Sequence, residues 1–203
     1  MIKQERIREA NNNVRHYVTD GLLRTNDDGI KKFVLFFMEQ AEKSLRTADF
    51  IYELSTNDNI KQSLRAEKDF ESYIWVIVTS YYSMFYAALA LLAREGIKVG
   101  RQIVHKVTAD ALINFFISNR RLAKMFENYE EARDATLDLI GREELMKRLE
   151  KRADELIIAY KQEMKKRSKF QYDIGEMARR GYAETSLARA REFFAEVRKI
   201  LSE

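Results

Sequence analysis

From Tyr73 to Ala93 the chain carries no charged side chain, although 33% of its 203 residues are charged. A run of this length is long enough to span a lipid bilayer. However, two of its four tyrosines would then lie near the bilayer centre, and not at the interfaces where such rings are favoured. A helix that is apolar on all sides is also typical of the central member of a soluble bundle. We therefore expect a buried central helix and no membrane association.

Apolar residues recur at helical spacing in four further segments, at about 31–54, 103–118, 142–170 and 184–202. The absence of proline and the presence of only 7 glycines argue against the many tight turns of a β-sandwich or barrel. The expected fold is therefore all-α, an up-and-down helical bundle. Within the last segment the apolar residues alternate between spacings of three and four, as in a bundle seam. These residues are Leu187, Ala190, Phe194, Val197 and Leu201.

The first 30 residues have a different character from the rest of the chain. Residues 2–18 can form a polar helix, but three consecutive asparagines, Asn11 to Asn13, weaken that prediction. The segment from Thr25 to Gly29 is rich in turn-forming residues. We therefore divide the chain into an N-terminal extension, 1–30, that is partly helical, and a helical bundle, 31–203.

Several kinds of chemistry are excluded by residues that the chain lacks. It has no cysteine, so disulfides and thiolate-bound metals are impossible, and its two histidines, His16 and His105, cannot form a histidine-rich metal site. It also has no glycine-rich phosphate loop. We expect no cofactor and no metal. His105 is interpreted as a hydrogen-bonded packing residue, and the pair Glu130 and Glu131 as solvated charges on a helix surface.

The stretch Ser80–Leu92, followed by Gly96, Ile97 and His105, resembles the HEPN family, whose small prokaryotic members carry the pattern A-Y-Y-A-M-F-H-A-A-x-A-L-L. The likeness covers 31–203, with insertions at about 57–68 and 119–141. It implies an all-α bundle of four or five main helices that is usually dimeric. Many members are ribonucleases or toxins, often encoded beside a minimal nucleotidyltransferase.

The ribonucleases of that family carry an R-x(4–6)-H motif, and two subunits bring their motifs into one cleft. In this chain Arg167 corresponds to the arginine, but Tyr172 stands where the histidine would be. Arg167 is therefore the one catalytic residue that the resemblance carries over. The histidine's role passes to Tyr172 only as a question, because an ordinary phenol has a pKa of about 10 and is a poor proton shuttle at neutral pH.

The segment 161–170 has five cations and a single acid, a local charge of +4. Such a cluster can contact phosphates, with Phe170 or Tyr172 stacking on a base. It can equally be a helix end whose cations complement the helix dipole. We assign RNA or nucleotide contacts to four residues beside Arg167 and Tyr172. They are Lys165, Lys166, Lys169 and Asp173.

These observations lead to one main hypothesis and two alternatives. The main hypothesis is a cytoplasmic homodimer of HEPN type that binds RNA or a nucleotide, with catalysis left open. The resemblance implies that it is the toxin component of a toxin–antitoxin or defence module. The first alternative is a non-catalytic helical partner of a minimal nucleotidyltransferase. The second is a weak, metal-independent endoribonuclease in which Tyr172 replaces histidine.

Overall fold

The computed structural model describes residues 2–151 and 180–203, with the backbone alone over 142–151. Apart from one pair of two-residue strands, the regular elements of these ranges are helices, and the predicted all-α bundle is confirmed. In chain order the elements are α1 (Gln4–Thr19), β1 (Leu23–Arg24), α2 (Asp28–Lys31), α3 (Val34–Thr56), α4 (Asp58–Ser63), α5 (Tyr73–Arg94), β2 (Lys98–Val99), α6 (Val104–Phe116), α7 (Arg120–Ala123), α8 (Phe126–Lys151) and α9 (180–202).

Helix α5 is the centre of the bundle, and α3, α6 and α8 pack around it. Its side chains Tyr81, Met84 and Leu91 are among the most deeply buried of the core. The fully buried Ala41 and Ala48 on α3 let that helix approach α5 closely. Among the described helices, α5 alone has the length and hydropathy of a membrane span, and 78% of its most apolar window is buried inside the protein.

Helix α1 continues through its three asparagines and packs against α6. It buries Ala10, Val14 and Tyr17, and the Asn13 side-chain amide donates to the Asp110 carboxylate at 3.0 Å. These tertiary contacts outweigh the low helix propensity of asparagine. Residues at the start of the chain therefore contribute directly to the core.

The segment between α1 and α3 is hydrogen-bonded to the loop between α5 and α6, in a contact that we call the clip. β1 pairs antiparallel with β2, and the Gly100 N–H donates to the Leu22 carbonyl at 2.7 Å. A Cβ at Gly100 would lie 2.9 Å from that carbonyl oxygen, so the close approach requires glycine. The clip fixes the relative positions of the segments that form the pocket described below.

The predicted start of the helix at 142 is wrong, and the predicted apolar stripe of the last helix packs against the core but omits its most buried aromatic residue. Helix α8 begins at Phe126 and not near 142, because Phe126, Tyr129 and Ala132 form a narrow buried stripe between many charged residues. In α9 the buried aromatic is Phe193, whereas Phe194 is only partly buried. Spacing alone does not show which of two neighbouring apolar residues is more deeply buried, because the surrounding helices determine which face of α9 packs into the core.

Candidate functional site

The site residues predicted from the sequence lie outside the described residues. They fall within 152–179, and their assignment therefore stays a prediction. The residues concerned are Arg167, Tyr172, Lys165, Lys166, Lys169 and Asp173.

An open pocket of about 730 Å³ lies where the start of α3 meets the loop between α5 and α6. This volume is in the range of small-molecule sites. Its apolar wall combines side chains from α3, α5 and α6, and we call it the phenylalanine pocket. The wall includes Phe33, Phe36, Phe37, Phe85, Leu89 and Val104.

Three of these rings, all at the start of α3, form an exposed aromatic cluster. The centroids of Phe33 and Phe36 are 6.5 Å apart, and those of Phe36 and Phe37 are 5.6 Å apart, both in edge-to-face geometry. Phe33 is 42% exposed and Phe36 is 50% exposed. Large apolar side chains left in water beside a concave surface are typical of a binding site.

The charged residues that line the pocket are three cations and one carboxylate. Lys32 Nζ lies 5.3 Å from the centroid of the Phe33 ring, and Lys98 Nζ lies 3.7 Å from the Asp27 carboxylate. Arg101 makes no ion pair or side-chain hydrogen bond with any residue in the described ranges. The pocket therefore has an excess of positive charge, and the Arg101 guanidinium is available to an anion.

The loop that carries Arg101 leads into α6 through an unusual backbone. Ile103, the N-cap of α6, has φ 41° and ψ 34° and caps the helix with no side-chain hydrogen bond. A β-branched residue rarely adopts this left-handed conformation, and such residues concentrate at functional sites. The positive end of the α6 dipole thus lies next to Arg101 and Val104 at the edge of the pocket.

His105, the next residue after Val104, is held by aromatic residues of α5. Its Nδ1 is 2.8 Å from the Tyr81 hydroxyl, and its ring centroid is 4.6 Å from that of Phe85. Burial raises the pKa of Tyr81, so the phenol keeps its proton, and its hydroxyl shares a hydrogen bond with Nδ1 of the imidazole. The prediction that His105 is a hydrogen-bonded packing residue is confirmed. Phe85 also lines the pocket, which places His105 directly behind the pocket wall.

We expect His105 to make stability depend on pH. Burial lowers its pKa, and the positive charge of Arg133 lowers it further. Between this lowered value and the unfolded value of about 6.5, the unfolded chain binds more protons than the folded chain. Stability should therefore fall as the pH drops through about 6.5. Urea unfolding from pH 8 to pH 5 should show this fall in the wild type and a weaker fall in His105→Gln.

The control for this measurement is His16→Gln, because His16 is exposed on α1. It should unfold with the pH dependence of the wild type. An unchanged pH dependence in His105→Gln would contradict the assignment of a neutral, half-buried imidazole.

A network of ion pairs and hydrogen bonds connects α6 to its neighbours on the side away from the pocket. The Asp110 carboxylate is fully buried and accepts hydrogen bonds from Arg6 at 2.5 Å and from Tyr17 at 2.8 Å. Arg6 also donates to Glu130 at 2.7 Å. Burial opposes the charge of Arg6, but these hydrogen bonds outweigh it and raise the pKa of the guanidinium. The network joins α1, α6 and α8. Among the residues that the structure describes, the only ion pair of the pocket lining is Lys98 with Asp27.

The interpretation of Glu130 as a solvated helix charge is wrong. Its side chain is only 16% exposed, because α1 covers it and supplies Arg6 as its partner, whereas Glu131 is 63% exposed. The sequence offers no signal for this pairing, since Arg6 and Glu130 are 124 positions apart.

The chain was compared with protein-family models, curated proteins and solved structures, and nothing in any of the three matches it. Within the described residues no group of three or more His, Asp or Glu side chains is arranged to hold a metal ion. The phenylalanine pocket was not among the sites predicted from the sequence. The only signal was the cluster Lys31-Lys32-Phe33 with Phe36 and Phe37 at the start of an amphipathic helix.

Proposed function

We propose that this protein binds RNA or a nucleotide, and that the phenylalanine pocket receives a base. The observation that carries the proposal is the pairing of exposed rings, Phe33 and Phe36, with the cations Lys32, Lys98 and Arg101 around one concave surface. Aromatic side chains stack on bases, and cations contact phosphates. One pocket thus offers both a stacking surface for the base and positive charge for the phosphate of a nucleotide.

The basic segment around Arg167 extends this proposal. We propose that its cations contact phosphates of the same ligand, as the charge of +4 over 161–170 suggests. The HEPN resemblance, which rests on the sequence pattern from Ser80 to Leu92, adds to the proposal a homodimer that is the toxin-type component of a toxin–antitoxin or defence module. The composition of the chain adds a cytoplasmic location to the same proposal.

The test is fluorescence anisotropy with a labelled 12-nucleotide single-stranded RNA at low salt. Phe36→Ala should weaken binding about five-fold or more, because stacking on one base contributes about 1–3 kcal/mol. Arg101→Ala should weaken binding and reduce its dependence on salt concentration. The matched controls are Phe50→Ala, a similarly exposed phenylalanine on the same helix, and Lys43→Ala, an exposed cation of α3. If Phe36→Ala and Arg101→Ala weakened RNA binding no more than the two controls do, the pocket would not be the binding site.

Ribonuclease activity is tested separately, because it depends on Arg167 and Tyr172. RNA cleavage in the presence of a chelator by the wild type, and its loss in Arg167→Ala, would support the metal-independent ribonuclease. Equal cleavage by both proteins would identify a contaminating nuclease.

A second function, the non-catalytic partner of a nucleotidyltransferase, is favoured by apolar side chains exposed away from the pocket. Phe50 is 57% exposed and Trp75 is 48% exposed, and neither lines the pocket. Exposed aromatics of this kind are enriched in protein interfaces. Co-purification of a nucleotidyltransferase encoded beside this protein, lost on Phe50→Asp but kept on Phe36→Ala, would support this function over RNA binding.

A further inference from the structure

The phenylalanine pocket contains one carboxylate, that of Asp27, which accepts no hydrogen bond from the part of the chain that the structure describes. Asp27 precedes α2, but its side chain makes no capping hydrogen bond. Its nearest charged partner is Lys98 Nζ at 3.7 Å, which is beyond hydrogen-bond distance. Within the described ranges no group donates a hydrogen bond to this carboxylate, although its side chain is only 25% exposed.

The backbone holds Asp27 firmly in this position. Its N–H donates to the Gly96 carbonyl at 2.9 Å, and its own carbonyl accepts from the Ile30 N–H at 3.2 Å. A Cβ at Gly29 would lie 3.0 Å from Asp27 Oδ1, so the glycine leaves the carboxylate the room it occupies. The carboxylate is therefore a preorganised acceptor on the wall of an aromatic pocket.

An ionised carboxylate is an acceptor only, and its two oxygens can accept from two adjacent N–H groups. Among the common bases, guanine alone presents two such donors side by side, N1–H and the 2-amino group. Adenine and cytosine place a single amino group beside a ring nitrogen that is itself an acceptor, and uracil places a single N–H between two carbonyls. In a nucleotide or a single strand this Watson–Crick edge is open to protein contacts.

We infer that the phenylalanine pocket selects guanine, and that Asp27 is the residue that determines this specificity by accepting hydrogen bonds from N1–H and the 2-amino group. This inference rests on the proposed nucleotide-binding function. The positive charge of Lys98 partly neutralises the Asp27 carboxylate, so Asp27 repels the phosphate of a bound nucleotide less strongly than an isolated carboxylate would. Lys32 and Arg101 remain for the phosphate, while the phenyl rings stack on the base.

The experiment is a calorimetric titration of the full chain with GMP, AMP and IMP, which lacks the 2-amino group of GMP. GMP should bind about ten-fold or more tightly than AMP, because a bidentate contact to a base discriminates by roughly one to two orders of magnitude. IMP should bind with intermediate affinity. Asp27→Asn should reduce GMP affinity to the level of AMP and leave AMP affinity unchanged or higher.

The matched control is Asp28→Asn, which removes the same charge one residue away. Asp28 pairs with Lys31 at the surface and does not line the pocket, so the preference for GMP should persist. Equal affinity of the wild type for all three nucleotides would overturn the guanine inference and leave nucleotide binding standing. Binding of none of them, together with no effect of Phe36→Ala on RNA affinity, would overturn both.

Discussion

Replacing Arg6 by methionine should lower the free energy of unfolding by about 3–5 kcal/mol, the usual cost of removing one partner from a buried ion pair. The Arg6 Nη2 atom lies 2.5 Å from Asp110 and 2.7 Å from Glu130. Without it, the fully buried Asp110 carboxylate keeps hydrogen bonds from Asn13 and Tyr17 but loses its opposite charge. Urea unfolding followed by circular dichroism measures the loss.

Two comparisons separate the buried charge from other effects of the Arg6 substitution. Arg46→Met breaks an exposed pair with Glu42 one helical turn away and should cost less than about 0.5 kcal/mol. Adding Asp110→Asn to Arg6→Met should recover part of the lost stability, because the unpaired charge is then absent. A loss below about 1 kcal/mol for Arg6→Met would show that Asp110 is not held as the structure indicates.

Replacing Phe193 by alanine should also destabilise the protein, by about 3–5 kcal/mol, the usual range for a buried phenylalanine. Phe193 is 1% exposed, and its ring centroid lies 5.6 Å from that of the fully buried Tyr129 on α8. The substitution would leave a cavity between α8 and α9 that rigid helices cannot close. Thermal and urea unfolding should both register the loss.

The control is Phe50→Ala, since Phe50 is 57% exposed and its truncation creates no cavity. Its cost should stay below about 1 kcal/mol. Equal losses for the two variants would contradict the packing of α9 into the core. Neither Arg6 nor Phe193 lines the phenylalanine pocket, so both predictions test the fold independently of the proposed function.

The helices were predictable wherever one face is continuously apolar. The uncharged run from Tyr73 to Ala93 became α5, which spans Tyr73–Arg94, and the periodic segment 103–118 became α6. Prediction failed at the start of α8, where a narrow buried stripe lies among charges. The polar helix expected over 2–18 is present as α1, although its asparagines weakened that prediction. In both cases packing against another helix stabilises a segment that its local sequence does not.

The candidate site was less predictable than the fold. A phenylalanine at the start of an amphipathic helix ordinarily indicates core, and only the packed bundle leaves Phe33 and Phe36 exposed beside Arg101. Likewise, Asp27 in a turn-forming segment indicates a turn residue. The position of its carboxylate on the wall of an aromatic pocket depends on the clip between β1 and β2.

The amino-acid sequence is enough to predict a helical bundle around one uncharged helix, without cysteine chemistry, because periodicity and composition are local properties of the chain. Three features become visible only in the folded protein: α1 belongs to the core, Glu130 is paired with Arg6, and three phenylalanines meet Lys32, Lys98 and Arg101 around Asp27. They could not be predicted because the residues concerned are far apart along the chain. A charge pair or a pocket is made by residues from several elements, and only the packing of those elements brings them together.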